Sequence, residues 1–151
     1  MRALLPLLAA EGLDAARLSV LARRMRATQE ALDAAARRAM AEAVAERKGR
    51  SGYDLSRLAA EPMEVIVTLL RQVIAARRGD EDAPVRLHRI EALAARFMAA
   101  LREERPFNAT LGGVRFAVRQ NLLTCLPENA RRIPPSRDKV GVLLGNSPDG
   151  S

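Results

Sequence analysis

The sequence predicts a mainly α-helical fold, a helical bundle around one long helix with a small β-hairpin near the carboxyl end. Residues 13–48 contain neither Pro nor Gly, and their apolar residues recur at a period near 3.5, which is typical of a helix. Two further segments between residues 62 and 105 repeat this spacing. From residue 114 to residue 126 the apolar period falls to two, which is typical of strands.

The long helix is expected to run from Leu13 to Lys48, because Arg47 and Lys48 are followed by Gly49, a usual helix stop signal. At 1.5 Å per residue it would span roughly 50 Å, so one side needs a partner. We expect the later helices to pack against its apolar stripe, which comprises Leu18, Leu21, Ala22, Met25, Leu32, Ala35, Ala39 and Ala43.

The remaining helices follow from capping and breaking residues. Residues 50–53 are expected to form a loop, after which Asp54 caps a short helix. Pro62 suits the first turn of the next helix, which contains the most apolar segment. Pro84 opens a third main helix, and this helix should stop before Pro106.

The alternating segment predicts a hairpin with a two-residue turn at 120–121. This turn would pair Val118 with Leu123 and Phe116 with Cys125, giving one apolar face that docks on the helices. Pro127 ends the second strand. We therefore expect a domain over residues 1–128 and an irregular tail over residues 129–151.

The charge indicates polyanion partners. The chain carries 25 Lys and Arg against 18 Asp and Glu, a net charge of +7, and only two of the basic residues are lysines. Arginine suits phosphate because its planar fork donates two hydrogen bonds at once. We predict nucleic-acid contacts from a set of arginines on several elements: Arg17, Arg24, Arg38, Arg77, Arg78, Arg86, Arg115 and Arg119, with Arg89 as a further basic position.

Catalytic and metal chemistry find little support. His88 and Cys125 are the single residues of their kinds, so no zinc constellation and no nucleophilic triad can be built. Packing in the core is expected for Cys125. One cysteine also indicates a cytoplasmic protein, and the apolar run at 3–10 is too short for a membrane span. Gly112 and Gly113 enter a strand and indicate a bulge or a close backbone approach, not a phosphate loop.

Three segments resemble bacterial tRNA(Ile)-lysidine synthetase, a PP-loop ATPase family. Residues 1–12 (Met-Arg-Ala-Leu-Leu-Pro-Leu-Leu-Ala-Ala-Glu-Gly) are similar to the stretch that follows its ATP-binding domain. Leu69-Leu70-Arg71, with Arg86 ahead of the third helix, resembles a second helical pair. Residues 109–114 (Ala-Thr-Leu-Gly-Gly-Val) resemble its entry to a hairpin. The resemblance covers about residues 1 to 128.

The resemblance implies a non-catalytic helical part that binds and positions tRNA(Ile) while lysine is attached to the wobble cytidine. ATP serves the full-length family, but its Ser-Gly-Gly-x-Asp-Ser loop is not found here, since Ser51 to Ser56 fails that pattern in spacing and context. The chain thus looks cut from a longer protein, and no cofactor or ligase activity is expected of it alone. The alternative is a protein–protein interaction module that forms a homodimer through the long helix without binding RNA, and the prediction includes neither a membrane nor a metal partner.

Overall fold

The computed structural model describes residues 14–78 and 83–129, together with Pro6 and Ala10. The predicted irregular tail therefore lies outside the described residues beyond Asn129. So do residues 79–82 and, apart from Pro6 and Ala10, residues 1–13.

The described residues form four helices and five strands. The helices are α1 (Ala15–Ala43), α2 (Leu55–Leu58), α3 (Met63–Arg77) and α4 (Leu87–Arg102). The strands are β1 (Val44–Arg47), β2 (Arg50–Asp54), β3 (Phe107–Leu111), β4 (Val114–Arg119) and β5 (Leu122–Pro127). All strands pair antiparallel in one sheet of order β1-β2-β5-β4-β3.

This architecture corrects the predicted helical bundle with a small hairpin, because a five-stranded sheet packs against the helices. The long helix ends at Ala43, not at Lys48, and residues 50–53 lie in a strand, not in a loop. Lys48 and Gly49 both have positive φ and form the two-residue turn of the β1–β2 hairpin. A cation followed by Gly suits that turn as well as a helix end, which explains the error.

The hairpin predicted near the carboxyl end has the predicted register. Val118 pairs with Leu123 and Phe116 pairs with Cys125 around the turn at 120–121. Gln120 and Asn121 have φ values of 53° and 61°. Positive φ at both positions is what a two-residue type I′ hairpin turn requires. Its apolar face docks on the helices as expected, since Phe116 and Leu123 are fully buried.

The strand β3 was not predicted, although Phe107 to Leu111 alternates between buried and exposed positions. It pairs with β4 through the Gly112–Gly113 turn, whose two φ values are also positive. Gly112 allows close packing here, because a Cβ would lie 2.5 Å from the Ile74 Cγ2 atom and 2.9 Å from the Val85 Cγ2 atom. The predicted close approach is therefore confirmed for Gly112, whereas a Cβ on Gly113 would have nothing within 4 Å.

The core lies between the inner face of the sheet and the helices α3 and α4, which supply most of its buried side chains. Phe97 of α4 meets Phe107 of β3 edge to face, with ring centroids 5.5 Å apart. Asp54 caps α2 as predicted, because its carboxylate accepts a hydrogen bond from the Ser56 backbone N–H at 2.8 Å. None of the described helices has both the length and the apolar character needed to cross a membrane.

The helix α1 is covered along only part of its length. Ala36, Ala39 and Ala43 are buried, and Asp33 is tied to α3 by the Arg71 guanidinium at 2.6 Å. Toward its amino end the apolar stripe is exposed, at 39% for Val20, 51% for Leu21 and 64% for Met25. The later helices therefore pack against the carboxyl part of the stripe, as predicted, and leave its amino part exposed.

Candidate nucleic-acid interface

The amino half of α1, defined here as residues 15–31, carries two of the predicted arginines, Arg17 and Arg24. Nearly every residue of this half is exposed, and four of its residues are arginines against a single acid, Glu30. It presents cationic side chains along a helix of about 25 Å. Arg38 lies further along, on the exposed side of the covered half.

Arg78 and Arg86 come together in a cleft of about 510 Å³ between the end of α3, the start of α4 and the β3–β4 turn. We call it the basic cleft. No carboxylate occurs among the described residues that line it, which are Arg78, Ala83, Pro84, Val85, Arg86, His88, Arg89, Gly112 and Gly113.

Local contacts fix the walls of the basic cleft. Arg78 ends α3, where its backbone N–H donates to the Ile74 carbonyl oxygen at 3.1 Å. Its Nη2 donates to the Ala83 carbonyl oxygen at 2.6 Å, which links the end of α3 to the segment that precedes α4. The tight packing of Gly112 against Ile74 and Val85 holds the β3–β4 turn in place.

The other predicted arginines lie apart from the basic cleft. Arg77 lines a different cleft of about 420 Å³, and its Nη2 donates to the Cys125 carbonyl oxygen at 3.3 Å. Arg115 and Arg119 are exposed on β4, where strand alternation places them opposite the buried Val114 and Phe116. Arg119 also lines a wider cleft of about 840 Å³.

The structure gives Cys125 no catalytic character. Burial raises the pKa of its thiol to about 12, although the nearby Arg77 lowers it slightly. The thiol therefore stays protonated near neutral pH, whereas a nucleophile or metal ligand would have to be a thiolate. No group of three or more His, Cys, Asp or Glu side chains suited to a metal ion occurs among the described residues.

His88 lines the basic cleft but was not among the predicted interface residues, and Arg89, which also lines it, was named only as a further basic position. Arg86 and Arg89 are three positions apart at the start of α4, a spacing that puts two side chains on one side of a helix. This spacing was available from the sequence. The contribution of the glycine turn was not, because it depends on a pairing with β3.

Two curated proteins named tRNA(Ile)-lysidine synthase match the chain. The protein from Methylobacterium sp. (strain 4-46) is 42% identical over 135 residues, which cover 87% of this chain and 39% of that protein. The protein from Methylobacterium nodulans (strain LMG 21967 / CNCM I-2342 / ORS 2060) is 38% identical over 136 residues, covering 87% of this chain and 40% of its own length.

The chain thus spans about two fifths of the length of these relatives. No protein-family model matches the sequence, and no solved structure matches the chain. Over most of its length the chain is similar to a part of tRNA(Ile)-lysidine synthase, which confirms the resemblance drawn from its sequence.

Proposed function

We propose that this chain is the non-catalytic, tRNA-binding part of a tRNA(Ile)-lysidine synthase. It helps to hold tRNA(Ile) while a separate ATP-dependent domain attaches lysine to the wobble cytidine. The observation that carries the proposal is the similarity to two relatives bearing that name, over 87% of the chain. In this proposal residues 1–128 form the tRNA-binding domain, and the protein works in the cytoplasm.

The distribution of charge supports RNA as the partner. The amino half of α1 carries exposed arginines, and the basic cleft and the outer side of β4 add others. Arginines bind phosphate without reading sequence, and each contact releases counterions from the nucleic acid. In this proposal these arginines supply affinity and orientation, and any discrimination between tRNAs comes from contacts made by other residues.

A filter-binding series with a tRNA(Ile) transcript across 50–300 mM KCl tests the proposal. We expect the logarithm of the binding constant to fall linearly with the logarithm of the salt concentration. Absence of binding at low salt, or binding that salt leaves unchanged, would contradict it. ATP-dependent lysine transfer by the 151-residue chain alone would contradict the assignment as non-catalytic.

The exposed stripe on α1 favours a second candidate function, a homodimerisation module. Val20, Leu21 and Met25 offer an apolar strip at helical spacing, and two antiparallel copies could bury it. Light scattering distinguishes the candidates when combined with the salt series. A dimer that shows no salt-dependent tRNA binding would favour the module, and a monomer that binds tRNA would exclude it.

A further inference from the structure

The basic cleft concentrates positive charge beyond what the described residues neutralise. Three guanidinium groups, from Arg78, Arg86 and Arg89, line one concave site of about 510 Å³. Like charges that share one cleft repel one another, and a carboxylate among the lining residues would relieve that repulsion. No carboxylate occurs among the described residues that line the cleft, and the Glu128 backbone N–H donates to the Gly113 carbonyl oxygen at 2.8 Å.

Arg78 is held in place and retains an unused donor. One end of its guanidinium is fixed by the bond from Nη2 to the Ala83 carbonyl oxygen. Its Nε atom is buried and has no hydrogen-bond partner among the residues that the structure describes. A buried donor without an acceptor costs about 1–3 kcal/mol. Because the atom is buried, a phosphate oxygen in the cleft would bond to it only after a shift of the Arg78 side chain, and that bond would remove the penalty.

The start of α4 adds a fixed partial charge to the same site. This 16-residue helix has no acid in its first turn, and its N-cap residue Arg86 makes no side-chain cap hydrogen bond. The first backbone N–H groups of a helix lack partners within the helix and favour a negative group. Helix end and guanidinium groups therefore act on one volume, in the arrangement that proteins use for phosphate.

We propose that the basic cleft binds a phosphate group, and that in the tRNA complex this group is a phosphodiester of the RNA backbone. The assignment of this phosphate to RNA rests on the proposed function, whereas the preference for a phosphate group rests on the residues of the cleft itself. Contact at this fixed site sets the register of the RNA on the protein. The exposed arginines of α1 add affinity without fixing that position.

The single histidine makes the cleft directly observable. His88 lines the site, so its ring proton signals in a one-dimensional NMR spectrum report on the cleft alone. In the 151-residue chain we expect inorganic phosphate and pyrophosphate to shift these signals saturably. The shift should be lost in R86Q/R89Q and kept in R57Q/R102Q, a charge-matched control whose two arginines are exposed and lie outside the cleft.

Binding of a tRNA(Ile) transcript identifies the carrier of the phosphate. We expect R86Q/R89Q to weaken binding about tenfold or more and to reduce the salt slope by about two, with less than a twofold change for R57Q/R102Q. Equal losses in both pairs, with wild-type binding intact, would overturn the inference and leave the proposed function standing. Saturable phosphate shifts without any tRNA binding would support the phosphate site and defeat the proposed function.

Three acidic residues of the sequence, Asp80, Glu81 and Asp82, fall between the two described segments that form the cleft. A D80N/E81Q/D82N variant tests whether they act as internal counterions. We expect phosphate to shift the His88 signals in the wild-type chain as well as in this variant. Shifts that appear in the triple variant alone would overturn the inference, because the cleft would then be neutralised from within.

Discussion

The two halves of α1 share one apolar period and meet different surroundings. In residues 32–43 the covered side of the helix consists mainly of alanines, and Ala36 and Ala43 have no exposed surface. In residues 15–31 the stripe includes the larger side chains of Leu21 and Met25, and these stay exposed. The charges differ as well, since the amino half has four arginines against one acid and the covered half has two of each.

The difference follows from the length of the partner helix. The 15 residues of α3 span roughly 22 Å, about half the length of α1, so they cover only its last turns. Apolar periodicity therefore predicts that a segment is helical but not which part of it is covered. The charge balance is the better guide here, because the half with excess arginine is the half that stays exposed.

A matched pair of charge insertions gives the largest expected difference between the halves. A36D places a carboxylate at a position with no exposed surface, and we expect it to lower the free energy of unfolding by at least about 3 kcal/mol. A22D should cost only the difference in helix propensity, about 0.5–0.7 kcal/mol. Urea unfolding followed by circular dichroism measures both, and similar losses would show that the amino half is also packed.

Hydrogen exchange compares the halves without any substitution. The amides of residues 19–31 belong to a helical segment with little buried surface, so they should open locally. We expect them to exchange at least tenfold faster than the amides of residues 35–43, a difference in opening free energy of about 1.4 kcal/mol. Uniform protection along α1 would indicate a partner that covers the amino half, such as a second copy of the chain.

Asp33 marks the border between the halves and carries a pH dependence. Burial raises the pKa of its carboxyl. Hydrogen bonds from Gln29 and Gln72 and the charge of Arg71 lower that pKa by more than burial raises it, so the net pKa lies below the ordinary value. The carboxylate therefore stabilises the fold above pH 4, and this contribution is lost as pH falls through the lowered pKa.

We expect D33N to reduce the free energy of unfolding by roughly 0.2–1 kcal/mol at pH 7, the usual range for an exposed ion pair. The deficit relative to the wild-type chain should shrink as pH falls below 4, because the wild-type carboxyl then becomes neutral as well. Urea midpoints measured between pH 7 and pH 3 test this. A deficit that stays constant across that range would assign the effect of D33N to packing instead.

The smallest effect is expected for the exposed stripe itself. L21Q and M25Q remove apolar surface that is already in water, so each should change the free energy of unfolding by less than about 0.5 kcal/mol. A27Q, at an exposed position outside the stripe, serves as a control. A larger loss that grows with protein concentration would reveal a dimer, and light scattering would then show dissociation in the two stripe variants but not in A27Q.

The predictions from sequence succeeded where short-range patterns determine the structure. The β4–β5 register, the cap at Asp54 and the helical segments of α3 and α4 follow from local spacing and capping residues. The β1–β2 hairpin was not predicted, because its residues are mostly polar and include two glycines. Its pairing with β5 also joins distant parts of the chain. A pattern in one segment cannot reveal such a partner.

The candidate site likewise has some features that the sequence predicts and one that depends on the fold. Excess arginine was visible in the composition, and its exposure on α1 and β4 follows from helical and strand periodicity. The convergence of Arg78, Arg86 and Arg89 on one cleft depends on how α3, α4 and the Gly112–Gly113 turn are packed together. The sequence therefore indicated the kind of partner, and the fold was needed to select one position among many arginines.

The join between β2 and β5 has a consequence for how the sheet assembles. Only two residue pairs, Tyr53 with Leu123 and Asp54 with Leu122, connect the hairpin of β1 and β2 to the other three strands. They close a loop of about seventy residues, whereas each hairpin closes over a few, so the loop entropy opposes this join most. Gly52 lies at the join, and a Cβ there would come within 2.4 Å of the Leu123 carbonyl oxygen. The sheet is therefore two locally formed ribbons with a narrow seam that forms late in folding and separates early in unfolding.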